Sequence, residues 1–125
     1  MEQPVIIVDD DPGVLFLHEL MVRESGLSDE IKPFNRAESA IKYIDSLPPD
    51  QRLLVLLDIN MPGMNGWDFM DHISGKKEYQ HVDVAMVTSS VNKSDRIRSE
   101  NYSQIIRFLE KPVSVEDCKA LRSLG

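Results

Sequence analysis

Five consecutive apolar residues, Leu53-Leu54-Val55-Leu56-Leu57, stand between Pro48-Pro49 and Pro62-Gly63. An unbroken apolar run bounded by turn-forming residues predicts a strand buried on both faces, as in parallel sheets. Periodicity alone would also accept a short buried helix, but the length of the run suits a strand and is too short for a helix. Val5-Ile6-Ile7-Val8 repeats the pattern, as do Val82 to Val87, interrupted only by Asp83, and Ile105-Ile106-Arg107-Phe108-Leu109. Ile31-Lys32-Pro33-Phe34 is a weaker strand because proline removes a ladder donor, and it is placed at a sheet edge.

Between these runs the apolar spacing changes to that of helices. Asp11 is suited to cap a first helix with Pro12 at its first position, Leu17, Leu20 and Met21 form its stripe, and Gly26 stops it. Ala37, Ala40, Ile41, Ile44 and Leu47 predict a second helix, opened by Asn35 and Glu38 at capping-box spacing and ended by Pro48-Pro49. Asn65-Gly66 marks a turn, after which Trp67, Met70 and Ile73 predict a short helix ending near Gly75. The fourth helix, roughly Lys93 to Tyr102, is polar, with Ile97 its only interior aliphatic residue. Ser114 and Asp117 are spaced as a capping box before a last helix with the stripe Val115, Cys118, Leu121 and Leu124.

Five strand-then-helix units predict an α/β fold in which right-handed crossovers build a parallel sheet covered on both faces. Of the two common doubly wound strand orders, the flavodoxin-like 2-1-3-4-5 puts the proline-bearing second strand at an edge. The expectation is a single (βα)5 domain over residues 1–125.

Composition narrows the function. A chain of 125 residues is one domain with room for a core. The net charge of -7 and the isoelectric point near 4.9 argue against a direct nucleic-acid or acidic-membrane surface. A single cysteine, Cys118, allows no internal disulfide, and neither a signal peptide nor a long apolar run is present, so a cytoplasmic location is expected. No output domain is expected within these residues.

In the 2-1-3-4-5 order the strand sequence reverses between the first and third strands, and ligands bind beyond the carboxyl ends at that point. Asp9, Asp10 and Asp58 would meet there, with Thr88 leaving the fourth strand and Lys111 the fifth on the same rim. Three carboxylates so close repel one another and call for a cation. All-oxygen donors favour Mg²⁺ or Mn²⁺ over zinc, for which no His/Cys cluster exists. His18, His72 and His81 are scattered and are read as solvent-facing. A nucleophilic carboxylate, a divalent ion, a lysine and a hydroxyl suit phosphoryl transfer to an aspartate.

Val8-Asp9-Asp10, Leu57-Asp58-Ile59-Asn60-Met61-Pro62, Thr88-Ser89 and Lys111-Pro112 stand in order along the chain. At that spacing the whole chain resembles the CheY-like receiver domain of bacterial two-component response regulators. The resemblance implies that Asp58 is the phosphoacceptor and that Asp10, Asp58 and the backbone carbonyl of Asn60 hold Mg²⁺, with Asp9 acting through water. It implies that Lys111 and Thr88 bind the phosphoryl group, and that Thr88 and Phe108 form the switch. It further implies a sensor histidine kinase or histidine phosphotransfer protein as donor, an output protein as target, and no enzymatic role beyond self-phosphorylation and dephosphorylation. Asn65-Gly66 departs mildly from the family's Asp-Gly. Two other classes remain: an aspartate-nucleophile phosphohydrolase, disfavoured because Asn60 cannot act as general acid, and an interaction module that uses the fold without phosphorylation.

Overall fold

The computed structural model describes the backbone of residues 3–124 and the side chains of residues 3–122. Its strands β1 (Val5–Val8), β2 (Ile31–Phe34), β3 (Leu53–Asp58), β4 (Val82–Thr88) and β5 (Ile105–Glu110) form one parallel sheet in the order β2-β1-β3-β4-β5. The predicted order holds, with the proline-bearing β2 at one edge. The helices are α1 (Pro12–Ser25), α2 (Ala37–Asp45), α3 (Gly66–Ile73), α4 (Lys93–Ser99) and α5 (Val115–Leu124), and a short 3-10 turn at Lys77–Tyr79 leads into β4.

Side chains alternate across a strand, so each central strand feeds two cores. Ile6, Val8, Val55 and Leu57 join Ala40, Ile44, Phe69, Met70 and Ile73 on the α2 and α3 side. Val5, Ile7, Leu54 and Leu56 join Val22, Cys118 and Leu121 on the α1 and α5 side. Every residue of β1 and β3 is buried, which is why these segments read as unbroken apolar runs. The register between β4 and β5 shifts at Val84 and Ala85, the one irregularity in these ladders.

The helices depart from expectation in instructive ways. Leu17 and Leu20 are 38% and 40% exposed, and the inward face of α1 is carried by His18, Val22 and Ser25. Two of those three are polar, so an apolar-only stripe is rotated away from the true one. The histidines are not solvent-facing: His18 is buried, His72 is half-buried with its Nε2 3.3 Å from the Tyr79 hydroxyl, and the His81 Nε2 is enclosed without a hydrogen-bond partner. The α2 N-cap is Arg36, which makes no side-chain cap bond, in place of the expected Asn35 and Glu38 box. Asn65 instead caps α3, in a capping box with Asp68. The Ser114 and Asp117 box forms as expected. Helix α4 ends at Ser99, and its Ile97 is 55% exposed, leaving the helix with no buried side chain at all. Cys118 and Leu121 are buried as predicted, whereas the Leu124 side chain lies outside the described residues.

Candidate functional site

The carboxyl ends of β1, β3, β4 and β5 deliver the acidic, hydroxyl and lysine side chains to one rim. Asp9 directly follows β1, and its N–H extends the ladder to the Phe34 carbonyl at 3.1 Å. Asp58 is the last residue of β3. One carboxylate oxygen from each of Asp9, Asp10 and Asp58 lies within 4.8 Å of the other two. Asp9 and Asp58 are buried and Asp10 is exposed. The Lys111 N–H donates to the Thr88 carbonyl at 2.7 Å, so β4 and β5 run side by side to the site.

Lys111 Nζ stands 2.6 Å from Asp9 Oδ2 and 3.1 Å from Asp58 Oδ1. The other Asp9 oxygen accepts from the Asp11 N–H at 2.9 Å, and Asp58 Oδ1 accepts weakly from the Asn60 N–H at 3.4 Å. Thr88 is buried on the same rim, its Oγ1 taking a long 3.4 Å bond from the Ser90 N–H. Asp11 accepts from the N–H groups of Gly13 and Val14 and caps α1, which frees Asp9 and Asp10 from that task.

Burial pushes the Asp58 carboxyl up to about 6, and the neighbouring Asp9 charge pushes the same way, against Lys111 and the Asn60 N–H. Burial by itself would lower the Lys111 ammonium, but hydrogen bonds and charge from Asp9 and Asp58 outweigh it and hold the lysine above its ordinary value. One lysine faces three carboxylates, and that excess of negative charge is what a divalent cation neutralises. Carboxylate oxygens, with no cysteine and no histidine among them, are hard donors that fit Mg²⁺ or Mn²⁺.

Phe108 sits on β5 opposite Met86, two ladder positions before the partner of Thr88. It is half-buried against the α2 and α3 core, with the Arg96 guanidinium 6.0 Å from its ring centroid. Helix α4 is held from outside the core in a second place, where Arg98 lies 4.6 Å over the Trp67 ring and Trp67 stacks on Tyr102.

Two supporting residues escaped the sequence reading. A Cβ at Gly66 would stand 2.7 Å from the Asp58 carbonyl oxygen and 2.8 Å from Ile59 Cα, so α3 can start this close beneath Asp58 only with glycine there. The Asn65-Gly66 pair is the visible signal, and by itself it predicts only a turn. His18 accepts a hydrogen bond from the Val113 N–H just past Lys111, and its i, i+4 and i+7 spacing with Val22 and Ser25 places the three on one helix face without marking that face as buried.

Residues 5–121 match the response regulator receiver domain. The chain belongs to that family. It is 31% identical over 115 residues to the two-component response regulator ORR27 of Oryza sativa subsp. japonica, covering 87% of this chain and 18% of the relative. It is 28% identical over 123 residues to the response regulator Rre1 of Synechocystis sp., covering 97% of this chain and 51% of the relative. The receiver domain thus spans about half, or much less, of these curated relatives. The crystal structure of a response regulator receiver protein from Dyadobacter fermentans superposes with a TM-score of 0.84 at 32% identity, over 98% of this chain and 94% of that one. This chain is therefore a receiver domain homologous to those of two-component response regulators. No described helix is long and apolar enough to cross a membrane.

Proposed function

We propose that residues 1–125 form one receiver domain that works as a phosphorylation-controlled switch, with Asp58 as the acceptor. The observation that carries this reading is the lysine bridge: Lys111 Nζ spans Asp9 and Asp58 at the buried end of β3, beside Thr88. An Asp58 oxygen attacks phosphorus, the new O–P bond replaces the bond from phosphorus to the donor, and the leaving group departs with the electron pair. Asp10, Asp58 and the Asn60 backbone carbonyl are the residues to hold Mg²⁺ or Mn²⁺, with Asp9 acting through water. The bound ion would supply charge neutralisation and alignment of the phosphoryl oxygens. Lys111 turns from the carboxylate to a phosphoryl oxygen, and the Thr88 hydroxyl donates to another.

The donor in this reading is a sensor histidine kinase or a histidine phosphotransfer protein, and the domain catalyses only its own phosphorylation and dephosphorylation. The target is an output protein, with no direct role for nucleic acid or membrane. A phosphoryl group adds close to two negative charges and several acceptor oxygens. Thr88 swings towards it, Phe108 turns inward behind it, and the surface made by α4, β5 and α5 changes. Moving a population from 1:99 to 99:1 takes about 5.5 kcal/mol. One charge-assisted hydrogen bond supplies roughly 1.5 to 3 kcal/mol, so Thr88 and Lys111 must act together.

The test is incubation with Mg²⁺ and acetyl phosphate, read by intact mass. One acid-stable, base-labile phosphoryl group is expected on the wild type and none on Asp58→Asn. Labelling that persists in the variant, for example on Ser89 or Ser90, would mean the nucleophile is another residue. With beryllofluoride, amide shifts are expected to run from Thr88 to Lys111. Shifts confined to the loops around Asp10 and Asp58, and unaltered by Thr88→Ala, would refute the proposed coupling.

A further inference from the structure

The transfer just described leaves the buried imidazole of His18 unused. His18, on the second turn of α1, is 1% exposed. Its Nε2 accepts a hydrogen bond at 3.1 Å from the backbone N–H of Val113, a residue 95 positions further along the chain. Val113 is itself buried, two residues beyond Lys111.

The Lys111-Pro112-Val113 segment is therefore tied at both ends. Its start is fixed to β4 by the 2.7 Å bond from the Lys111 N–H to the Thr88 carbonyl, and its end is fixed to α1 by His18. Between the ties stands Pro112, which has no N–H of its own and whose ring fixes φ, so little torsional freedom remains. Just beyond, Ser114 and Asp117 cap α5 and hold the next turn in place. An acceptor Nε2 requires the neutral ring with its proton on Nδ1. The surroundings favour that form: burial lowers the imidazole, Asp9 opposes it, and Lys111 reinforces it.

We infer that His18 is a positioning residue for Lys111: it fixes the Val113 amide, and with it the turn from which the Lys111 ammonium reaches Asp58. The inference rests on the reading of Lys111 as a phosphoryl-binding group. Leucine at position 18 fills a similar volume but offers no acceptor, and a buried N–H left without a partner drives local rearrangement. The longer of the two lysine contacts, 3.1 Å to Asp58 against 2.6 Å to Asp9, is the one expected to loosen first. Glutamine can restore an acceptor oxygen in place of the ring nitrogen.

The experiment compares wild type, His18→Leu and His18→Gln in the full chain. In wild type, NMR should detect a through-hydrogen-bond coupling between the Val113 amide nitrogen and His18 Nε2. The Asp58 carboxyl carbon and Lys111 ammonium signals should move in His18→Leu and return in His18→Gln. Phosphorylation by acetyl phosphate in Mg²⁺ should slow about tenfold in His18→Leu, within the ~10²-fold that an ångström of misplacement costs, and recover in His18→Gln to within about threefold of wild type. A wild-type spectrum without the coupling overturns the inference, as does a folded His18→Leu with unchanged Asp58 and Lys111 signals and an unchanged rate. If His18→Leu does not fold, His18→Gln decides: Asp58 and Lys111 signals matching wild type support the inference, and displaced ones overturn it. A wild type that takes up no phosphoryl group defeats the acceptor assignment alone, because the NMR signals still judge the role of His18.

Discussion

Ionised Asp58 weakens the fold that carries it, and removing its charge should make the protein more stable. The carboxyl titrates at about 6 in the folded protein against 3.8 for the unperturbed group, because burial and the Asp9 charge outweigh the help from Lys111. Between those two values the folded state keeps the proton and the unfolded state has lost it, so stability falls as pH rises through this window. Above pH 6 the full penalty applies, roughly two pKa units at 1.36 kcal/mol each, or on the order of 3 kcal/mol. Asp58→Asn keeps the shape and the oxygen that accepts from the Asn60 N–H, and leaves Lys111 its 2.6 Å partner Asp9. Urea titrations in EDTA at pH 7.5 should find the variant more stable by about 1 to 3 kcal/mol, a midpoint rise of about 1 M at the usual slope for small domains. The gain should shrink from pH 6 downward and approach zero near pH 4. A variant no more stable than wild type at pH 7.5, or a gain that does not change between pH 4 and 8, would refute the assignment of the charge cost to Asp58.

Mg²⁺ at ten times its dissociation constant should stabilise wild type by about 1.4 kcal/mol through mass action, and Asp10→Asn should lose most of that gain. Thermal denaturation with and without the ion checks it, and identical curves for both proteins in saturating Mg²⁺ would exclude the acid cluster as a cation site. Gly66→Ala presses a methyl group onto backbone atoms of Asp58 and Ile59, which no side-chain rotation relieves, and should cost at least ~2 kcal/mol in urea titrations. Arg98→Ala removes the cation from the Trp67 ring, an interaction worth about 0.5 to 1 kcal/mol. Amide exchange across α4 should then quicken about two- to fivefold, with Trp67 fluorescence changing in parallel, while β1 and β3 keep their wild-type protection.

The strands, their order and the rim that gathers Asp9, Asp10, Asp58, Thr88 and Lys111 were legible because a fully buried strand leaves an unbroken apolar run whose end is visible in the chain. Helix faces were less so. In α1 the inward positions are His18, Val22 and Ser25, and a polar side chain with a buried partner looks no different in sequence from one facing water. Caps depend on backbone angles and local competition: Asn35 and Asn65 both stand ahead of a helix, yet only Asn65 closes a box. Gly66 was visible only as half of a turn, since its need for close approach to Asp58 arises from how α3 meets β3, which no local pattern encodes. The apolar pattern places Ile97 in an interior that α4 does not have.

That bare helix has a consequence for how such a domain diversifies. Since α4 buries no side chain, its residues other than Arg96 and Arg98, which lie over the Phe108 and Trp67 rings, can be replaced at a folding cost within about 0.5 kcal/mol, the usual range for surface positions. The strands allow no such freedom, because a change in Leu56 or Val55 disturbs packing on a face shared with several neighbours. On the proposed function, in which α4 belongs to the output surface, a lineage that duplicates this chain can rewrite the address on that helix one residue at a time, so that sister copies answer to different listeners while the interior they inherit stays the same.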